Sequence, residues 1–247
     1  MATGVDYATY VQLTEPGMVV ETGGYRQLCV GGLEHGKRYT VTFREGLPAA
    51  DGQTMAASVQ ISQYIRDRSA GVWFPGRGYV LPKTGDAALP IETVNTEALD
   101  LTLYRVADRN LIRSIQDYYF GTPISVYSEE YFANTVGEAL WSGTATVAQE
   151  VNKDVTTRLP MDAALAGLPT GIYALKAAVP GVDPYETAPA WQWFVISDLG
   201  VTTLSGVDGL HVFVRSLGTA GAKPGIKVEL LNRANTVLGT AVTDDQG

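Results

Sequence analysis

The stretch from Arg38 to Arg44, RYTVTFR, alternates Tyr39, Val41 and Phe43 with Arg38, Thr40, Thr42 and Arg44. Successive side chains of an extended strand point to opposite faces, so this period of two describes a strand with one face on a core and one in water. Short runs of strand character recur at 7–13, 18–21, 26–30, 58–66, 91–95, 99–106, 138–147, 156–159, 171–178, 191–196, 201–204, 210–216, 226–231 and 236–242. Gly, Pro, Asn and Asp punctuate them, as at 31–37 and 46–52, where Gly supplies positive φ and Pro or Asp favours reversal. Leu33 and Leu47 in those loops are expected to pack back onto a core. A chain written this way belongs to the all-β class, with antiparallel sheets packed face to face. One segment breaks the pattern: Leu111, Ile112, Ile115, Tyr118 and Tyr119 recur at helical spacing behind Asn110, a candidate N-cap, which predicts one short helix over 110–119.

Composition narrows the function classes. Hydrophobic residues make up 45% of the 247 and charged residues 18%, enough apolar material to offset the entropy of ordering. A formal net charge of -8 argues against nucleic acid, whose binding depends on Lys and Arg displacing counterions. No run of about 18 apolar residues is present to span a bilayer. The opening MATGVDYATY has no charged and apolar leader pattern, so any targeting segment is expected to be removed or to lie outside this chain. The single cysteine, Cys29, excludes an intramolecular disulfide and a multi-cysteine zinc site. Its setting, Gln27-Leu28-Cys29-Val30, predicts a buried core thiol rather than a reactive one.

Two breaks divide the pattern. Residues 64–71, YIRDRSAG, are charged and small, as boundaries often are, and residues 197–200, SDLG, separate a second and a third run of strands. Three serial sandwiches are therefore expected, over 1–69, 70–197 and 198–247, the predicted helix falling in the second. The strand opening the second unit, near 72–82, carries two prolines and two glycines and is expected to be an edge or bulged strand. The third holds about half of the ~100 residues of a seven-stranded sandwich. Its last stretch, TAVTDDQG, runs from an alternating strand into an Asp/Gly turn, so an incomplete third domain with 236–242 at a mobile, open sheet edge is expected.

Few residues offer chemistry. The two histidines, His35 in a turn and His211 within Leu210-His211-Val212-Phe213-Val214, read as a solvated loop residue and an outward strand residue. There is no G-x-S-x-G elbow, H-E-x-x-H helix or P-loop. Phe74-Pro75-Gly76-Arg77-Gly78 is glycine-rich but precedes no helix, so it reads as a bulged strand, not a phosphate cradle. The acid pairs Glu129 with Glu130, Asp183 with Glu186, and Asp244 with Asp245 have the residue type for glycoside hydrolysis but read as solvated or divergent carboxylates. Asp208 and Asp244 with Asp245 lack EF-hand spacing for calcium. Trp191 and Trp193 share a strand face and suit sugar stacking or a protein patch, but Phe194 and Ile196 make the other face apolar too, which predicts a strand buried against its sheet and a neighbouring domain. Contacts between domains are accordingly expected at Trp73, Trp191 and Trp193. No catalytic, cofactor-binding or metal residue is assigned.

Three stretches in order, Leu28 to Tyr39 (LCVGGLEHGKRY), Phe74 to Pro82 (FPGRGYVLP) and Trp193 to Gly200 (WFVISDLG), resemble bacterial α2-macroglobulins, a likeness that extends over nearly the whole chain. The resemblance implies tandem fibronectin- or immunoglobulin-like macroglobulin β-sandwiches on the N-terminal side of a large periplasmic lipoprotein. Such proteins are broad-spectrum endopeptidase inhibitors that trap proteases after bait-region cleavage, often through a Cys-Glu thioester. Cys29 precedes Val30, Gly31 and Gly32 rather than the Cys-x-Glu-Gln of that motif, and Arg26-Gln27-Leu28 before it is no lipobox. Bait and thioester are then expected beyond Gly247. The implied role is a non-catalytic, monomeric scaffold segment without cofactor, its partners being neighbouring macroglobulin domains and, through the parent, proteases. The rival reading from residues alone is an adhesin or carbohydrate-binding module, with a glycosidase unit behind it.

Overall fold

A computed structural model describes residues 4–15, 19–23, 27–76, 78–81 and 88–247, and the chain divides into two compact units, Met1–Ser69 and Ala70–Gly247. In the first, a 3-10 turn at Tyr7–Tyr10 leads into β1 (Val11–Leu13), followed by β2 (Val19–Gly23), β3 (Gln27–Gly31), β4 (Arg38–Phe43) and β5 (Val59–Tyr64). The turn replaces the first half of the strand expected at 7–13. Asp6 causes this: its Oδ1 accepts from Ala8 N at 3.1 Å and its carbonyl from Thr9 Oγ1 at 2.8 Å, tying the chain into a local turn before pairing starts. The sheet runs β1-β4-β5, and β2 and β3 form a separate hairpin. Of the alternation expected in β4, Arg38 is exposed and Tyr39 buried, while Thr40, Val41, Thr42 and Phe43 are all half-buried.

Cys29 departs from expectation. Leu28 and Val30 are half-buried, while Gln27, Cys29 and Gly31 are exposed, so the thiol lies on the outer face of β3. Apolar neighbours set a strand's character, but its parity decides the face, and Cys29 has the parity of Gln27.

The second unit contains β6 (Gly71–Trp73), β7 (Gly78–Leu81), β8 (Ala88–Val94), β9 (Ala98–Val106), α1 (Asp108–Gln116), α2 (Val126–Thr135), β10 (Gly137–Thr146), β11 (Val155–Pro160), α3 (Asp162–Leu165), β12 (Gly171–Ala178) and β13 (Ala190–Ile196). Two hairpins follow, β14 (Leu199–Gly206) with β15 (Gly209–Ser216), and β16 (Lys227–Leu231) with β17 (Val237–Val242). A five-stranded sheet, β10-β9-β12-β13-β7, accompanies a three-stranded sheet, β11-β8-β6; every pairing is antiparallel except β7 with β13. Leu89 and Ile91 of β8 and Leu159 of β11 share one core with Leu99, Leu101 and Leu103 of β9, Leu175 of β12 and Phe194 of β13. Tyr173 stacks on Phe194 at 5.7 Å between ring centres, and its hydroxyl donates to Pro169 O at 2.8 Å, so a polar tip leaves an apolar body in the core.

The architecture is all-β, as expected, with more helix than anticipated. α1 covers the predicted segment but begins at Asp108 behind Ala107, and Asn110 is not its cap. Asn110 sits inside α1 and donates from Nδ2 to the carbonyls of Thr135 (3.2 Å) and Val136 (3.1 Å), closing the C-terminal end of α2. The helix α2, VYSEEYFANT, buries only Phe132 completely among its residues, so its sequence carries no apolar stripe to announce it.

Candidate functional site: an aromatic layer under two helices

The residues with chemical potential lie apart and are engaged locally. His35, in the first unit, is exposed with Nδ1 at 2.7 Å from Arg66 O. His211, on β15, is exposed with Nε2 at 2.9 Å from Asp208 Oδ2. Asp183 Oδ1 accepts from Tyr185 N and Asp244 Oδ1 from Gln246 N, both at 2.9 Å, so each orders its own turn. Glu129 and Glu130 lie on α2 rather than on a strand; Glu129 pairs with Lys176 of β12 and Glu130 is exposed. Phe74 packs against the sandwich core, and Arg77 lies outside the described residues. Among the described residues no three His, Cys, Asp or Glu side chains gather to hold a metal ion, and no helix is long and apolar enough to cross a membrane.

What the fold does assemble is the second face of the large sheet. The outer face of β9, β12 and β13 presents Tyr104, Val106, Ala174, Trp191 and Trp193, and Ile124, Phe132 and Val136 of the helical segment close over it. Phe132 is fully buried and meets Tyr104 at 5.5 Å, Trp191 at 5.5 Å and Trp193 at 5.8 Å, each edge to face, an arrangement favoured by the ring quadrupoles. Two small residues create its slot. Ala174 pairs with Tyr104 on one side and Trp193 on the other, leaving a hollow between large rings. Gly137 faces the Phe132 ring so closely that an added Cβ would stand 2.8 Å from it.

Polar contacts dock this layer. Trp193 donates from Nε1 to Thr122 O at 3.0 Å, anchoring the segment between α1 and α2. Lys176 pairs with Glu129 where both side chains are about one-fifth exposed, at 21% each. Burial first, and the Glu129 carboxylate second, push the Tyr104 hydroxyl above its ordinary pKa. The expectation of contacts between domains is corrected at Trp191 and Trp193, which are covered by the helical segment of their own unit; half-buried Trp73 donates from Nε1 to Glu92 on the neighbouring strand β8. The Trp191 and Trp193 indoles, 6% and 2% exposed, offer no free face for sugar stacking. Sequence reasoning missed Phe132, Ile124 and the Lys176–Glu129 pair, which come together only through α2; the one usable signal was that both faces of β13 are apolar.

A second fixed point is Asp198, between β13 and β14. Its carboxylate lies 2.7 Å from Lys223 Nζ and accepts from Gly218 N at 3.0 Å and from Ser216 Oγ at 2.8 Å. Lys223 foremost, then the Gly218 amide and the Ser216 hydroxyl, hold its pKa down to about 2. The group binds the start of the hairpin region to its own loop and has no acid–base role near neutrality.

Two family models match in series: the bacterial alpha-2-macroglobulin MG2 domain over residues 73–191 and the bacterial alpha-2-macroglobulin MG3 domain over 196–247. Alpha-2-macroglobulin of Escherichia coli K12 is 23% identical over 222 residues, covering 90% of this chain, which spans only 13% of that relative's length. A crystal structure of a Salmonella alpha-2-macroglobulin mutant superposes with a TM-score of 0.74 at 22% identity, covering 100% of this chain and 15% of that one. Trypsin-activated alpha-2-macroglobulin from Escherichia coli superposes with a TM-score of 0.55 at 22% identity, over 73% of this chain and 12% of that one. The sandwich with its two appended strand pairs thus has the fold of these proteins, and the chain belongs to the bacterial alpha-2-macroglobulin family.

Proposed function

We propose that this chain is a non-catalytic scaffold segment of a bacterial alpha-2-macroglobulin-like, broad-spectrum endopeptidase inhibitor that traps proteases after bait-region cleavage. The observation that carries the reading is the serial match to two macroglobulin domains. The titratable side chains in the matched part support it, since Glu129, Asp183, Asp198 and Asp244 are spent on docking and turns rather than facing one another across a cleft. The relative described as trypsin-activated supports a protease as the class of partner. The chain is divided, on this reading, into macroglobulin-like domains over 1–69, 70–197 and 198–247. The third is read as part of a sandwich: Val201 and Leu210 on one face of the β14–β15 pair, and Leu238 and Val242 of β17, are each at least half exposed, apolar surface of the kind that a further layer covers. Location in the periplasm, with the parent anchored as a lipoprotein on the inner membrane, follows the family resemblance; osmotic-shock fractionation and radiolabelled palmitate test it.

The functional test uses the full-length parent. After incubation with trypsin, cleavage of a large protein substrate should be suppressed while a small chromogenic peptide is still cut, as steric trapping requires. Equal loss of both activities would instead indicate a blocked protease active site. Turnover of a peptide or glycoside by this chain alone would overturn its non-catalytic role.

A further inference from the structure

Among the described residues, the last two hairpins are joined to the sandwich of the second unit by the chain itself and by a side-chain hydrogen bond. The first is covalent. Ile196 is the last paired residue of β13, opposite Gly171 and Leu81, and Leu199 is the first of β14, opposite Ser216. Asp198 already belongs to the hairpin side, because its carbonyl accepts from Leu217 N at 2.8 Å and its carboxylate is held by Ser216, Gly218 and Lys223. Ser197 is therefore the residue between two hydrogen-bonded ladders; its Oγ accepts from Leu199 N at 2.9 Å, but its own backbone N–H and C=O belong to neither ladder, so its two backbone dihedrals join them.

The second meeting point is non-covalent. Gln116, exposed at the end of α1, donates from Nε2 to the carbonyl of Arg233 in the turn between β16 and β17. Beside this bond lies an open cleft of about 740 Å³, walled by Ile112, Ile115 and Tyr118 on one side and Glu229, Leu231 and Asn232 on the other. Its apolar walls face solvent: Ile115 is 53%, Tyr118 83% and Leu231 40% exposed. Tyr118 also holds φ at +60°, a region that bulky side chains rarely occupy.

We propose that residues 198–247 turn as one body about Ser197, and that the Gln116–Arg233 hydrogen bond is the latch that ties the two walls of the cleft to each other. The inference rests on the division at 197/198 put forward above. The latch is a single exposed neutral hydrogen bond, whose net contribution is modest because water competes for both partners. Two arrangements separated by so small a difference exchange populations when one contact is lost.

The test uses the whole chain with Cys29→Ser, which frees it for site-directed labelling. Nitroxides replace Tyr127 on α2 and Leu238 on β17, both exposed, and a control pair replaces Tyr127 and exposed Val151 within the sandwich. Pulsed electron–electron resonance should give one dominant distance for the first pair. Gln116→Met, similar in length and helix-compatible but without the donor, should move the population of a second distance by roughly threefold or more. The control pair and the melting temperature should stay unchanged. Identical distributions with and without the donor overturn the latch. Hydrogen exchange judges the division separately: if 199–247 opens only together with 171–196 as one cooperative unit, the division itself fails and the hinge with it.

Discussion

Truncating Phe132 to alanine tests whether the aromatic layer fastens the helices to the sheet. Phe132 has no exposure to solvent and packs against four rings: Tyr104, Trp191 and Trp193 lie within 5.8 Å of its centre and Tyr119 at 6.0 Å. Buried Phe→Ala changes cost about 3–5 kcal/mol, the upper part of the range applying where neighbours cannot collapse into the hole. Here they cannot, because Tyr104 projects from β9 and Trp191 and Trp193 from β13, two strands that β12 holds in register between them, and Trp193 is tied by its indole N–H to Thr122. A loss of about 4 kcal/mol is therefore expected, lowering the melting temperature of the second unit by roughly 8–16 °C for a body of this size. Urea unfolding followed by tryptophan fluorescence and far-ultraviolet dichroism measures it. Phe132→Leu retains most of the volume and should cost less than half as much. A Phe132→Ala loss below about 1 kcal/mol, with the transition still cooperative, would refute the claim that this ring organises the layer.

Gly137→Ala should destabilise by about 1–3 kcal/mol, since its Cβ would stand 2.8 Å from the Phe132 ring; in the Phe132→Leu background the cost should shrink, a non-additivity that a double-mutant cycle in urea reads directly. The Asp198 carboxyl is held at about pKa 2, below its ordinary 3.8, so its contribution to stability is fully present above about pH 4 and is lost as pH falls towards 2. Asp198→Asn should accordingly flatten the fall in stability between those two values, whereas a parallel curve would show that the carboxylate contacts are not formed in solution. The exposed Cys29 should react with a maleimide in the native protein nearly as fast as in urea; protection by more than about tenfold would place the thiol back inside the first unit.

Much of the sheet architecture can be read from local pattern. The segment 171–178 is a strand at both ends as expected, and β9 falls within one residue of its forecast, because alternation and turn residues act over a few positions. The helix at α1 was visible for the same reason: Leu111, Ile112 and Ile115 repeat at its period. Two local signals misled. Asn110 has the chemistry of a cap, but the carbonyls it satisfies belong to α2, 25 residues away. Cys29 has apolar neighbours in the chain, but its parity in β3 turns it outward.

Of the candidate site, only the ingredients were legible. Both faces of β13 were apolar on paper, which requires two covering layers; the first is the three-stranded sheet. The second layer was assigned to a neighbouring domain, because VYSEEYFANT has no apolar stripe from which a helix could be inferred. Its one deeply buried residue, Phe132, gains its place from Gly137 and Ala174, whose smallness matters only once strands from distant segments lie side by side. The sequence by itself therefore determined the class of fold, most strand positions and the family, all of which follow from period, punctuation and short motifs. Only the tertiary structure decided which groups cover the tryptophans, which way the cysteine points and what Asp198 holds, because burial and pairing depend on contacts between residues that the chain keeps far apart.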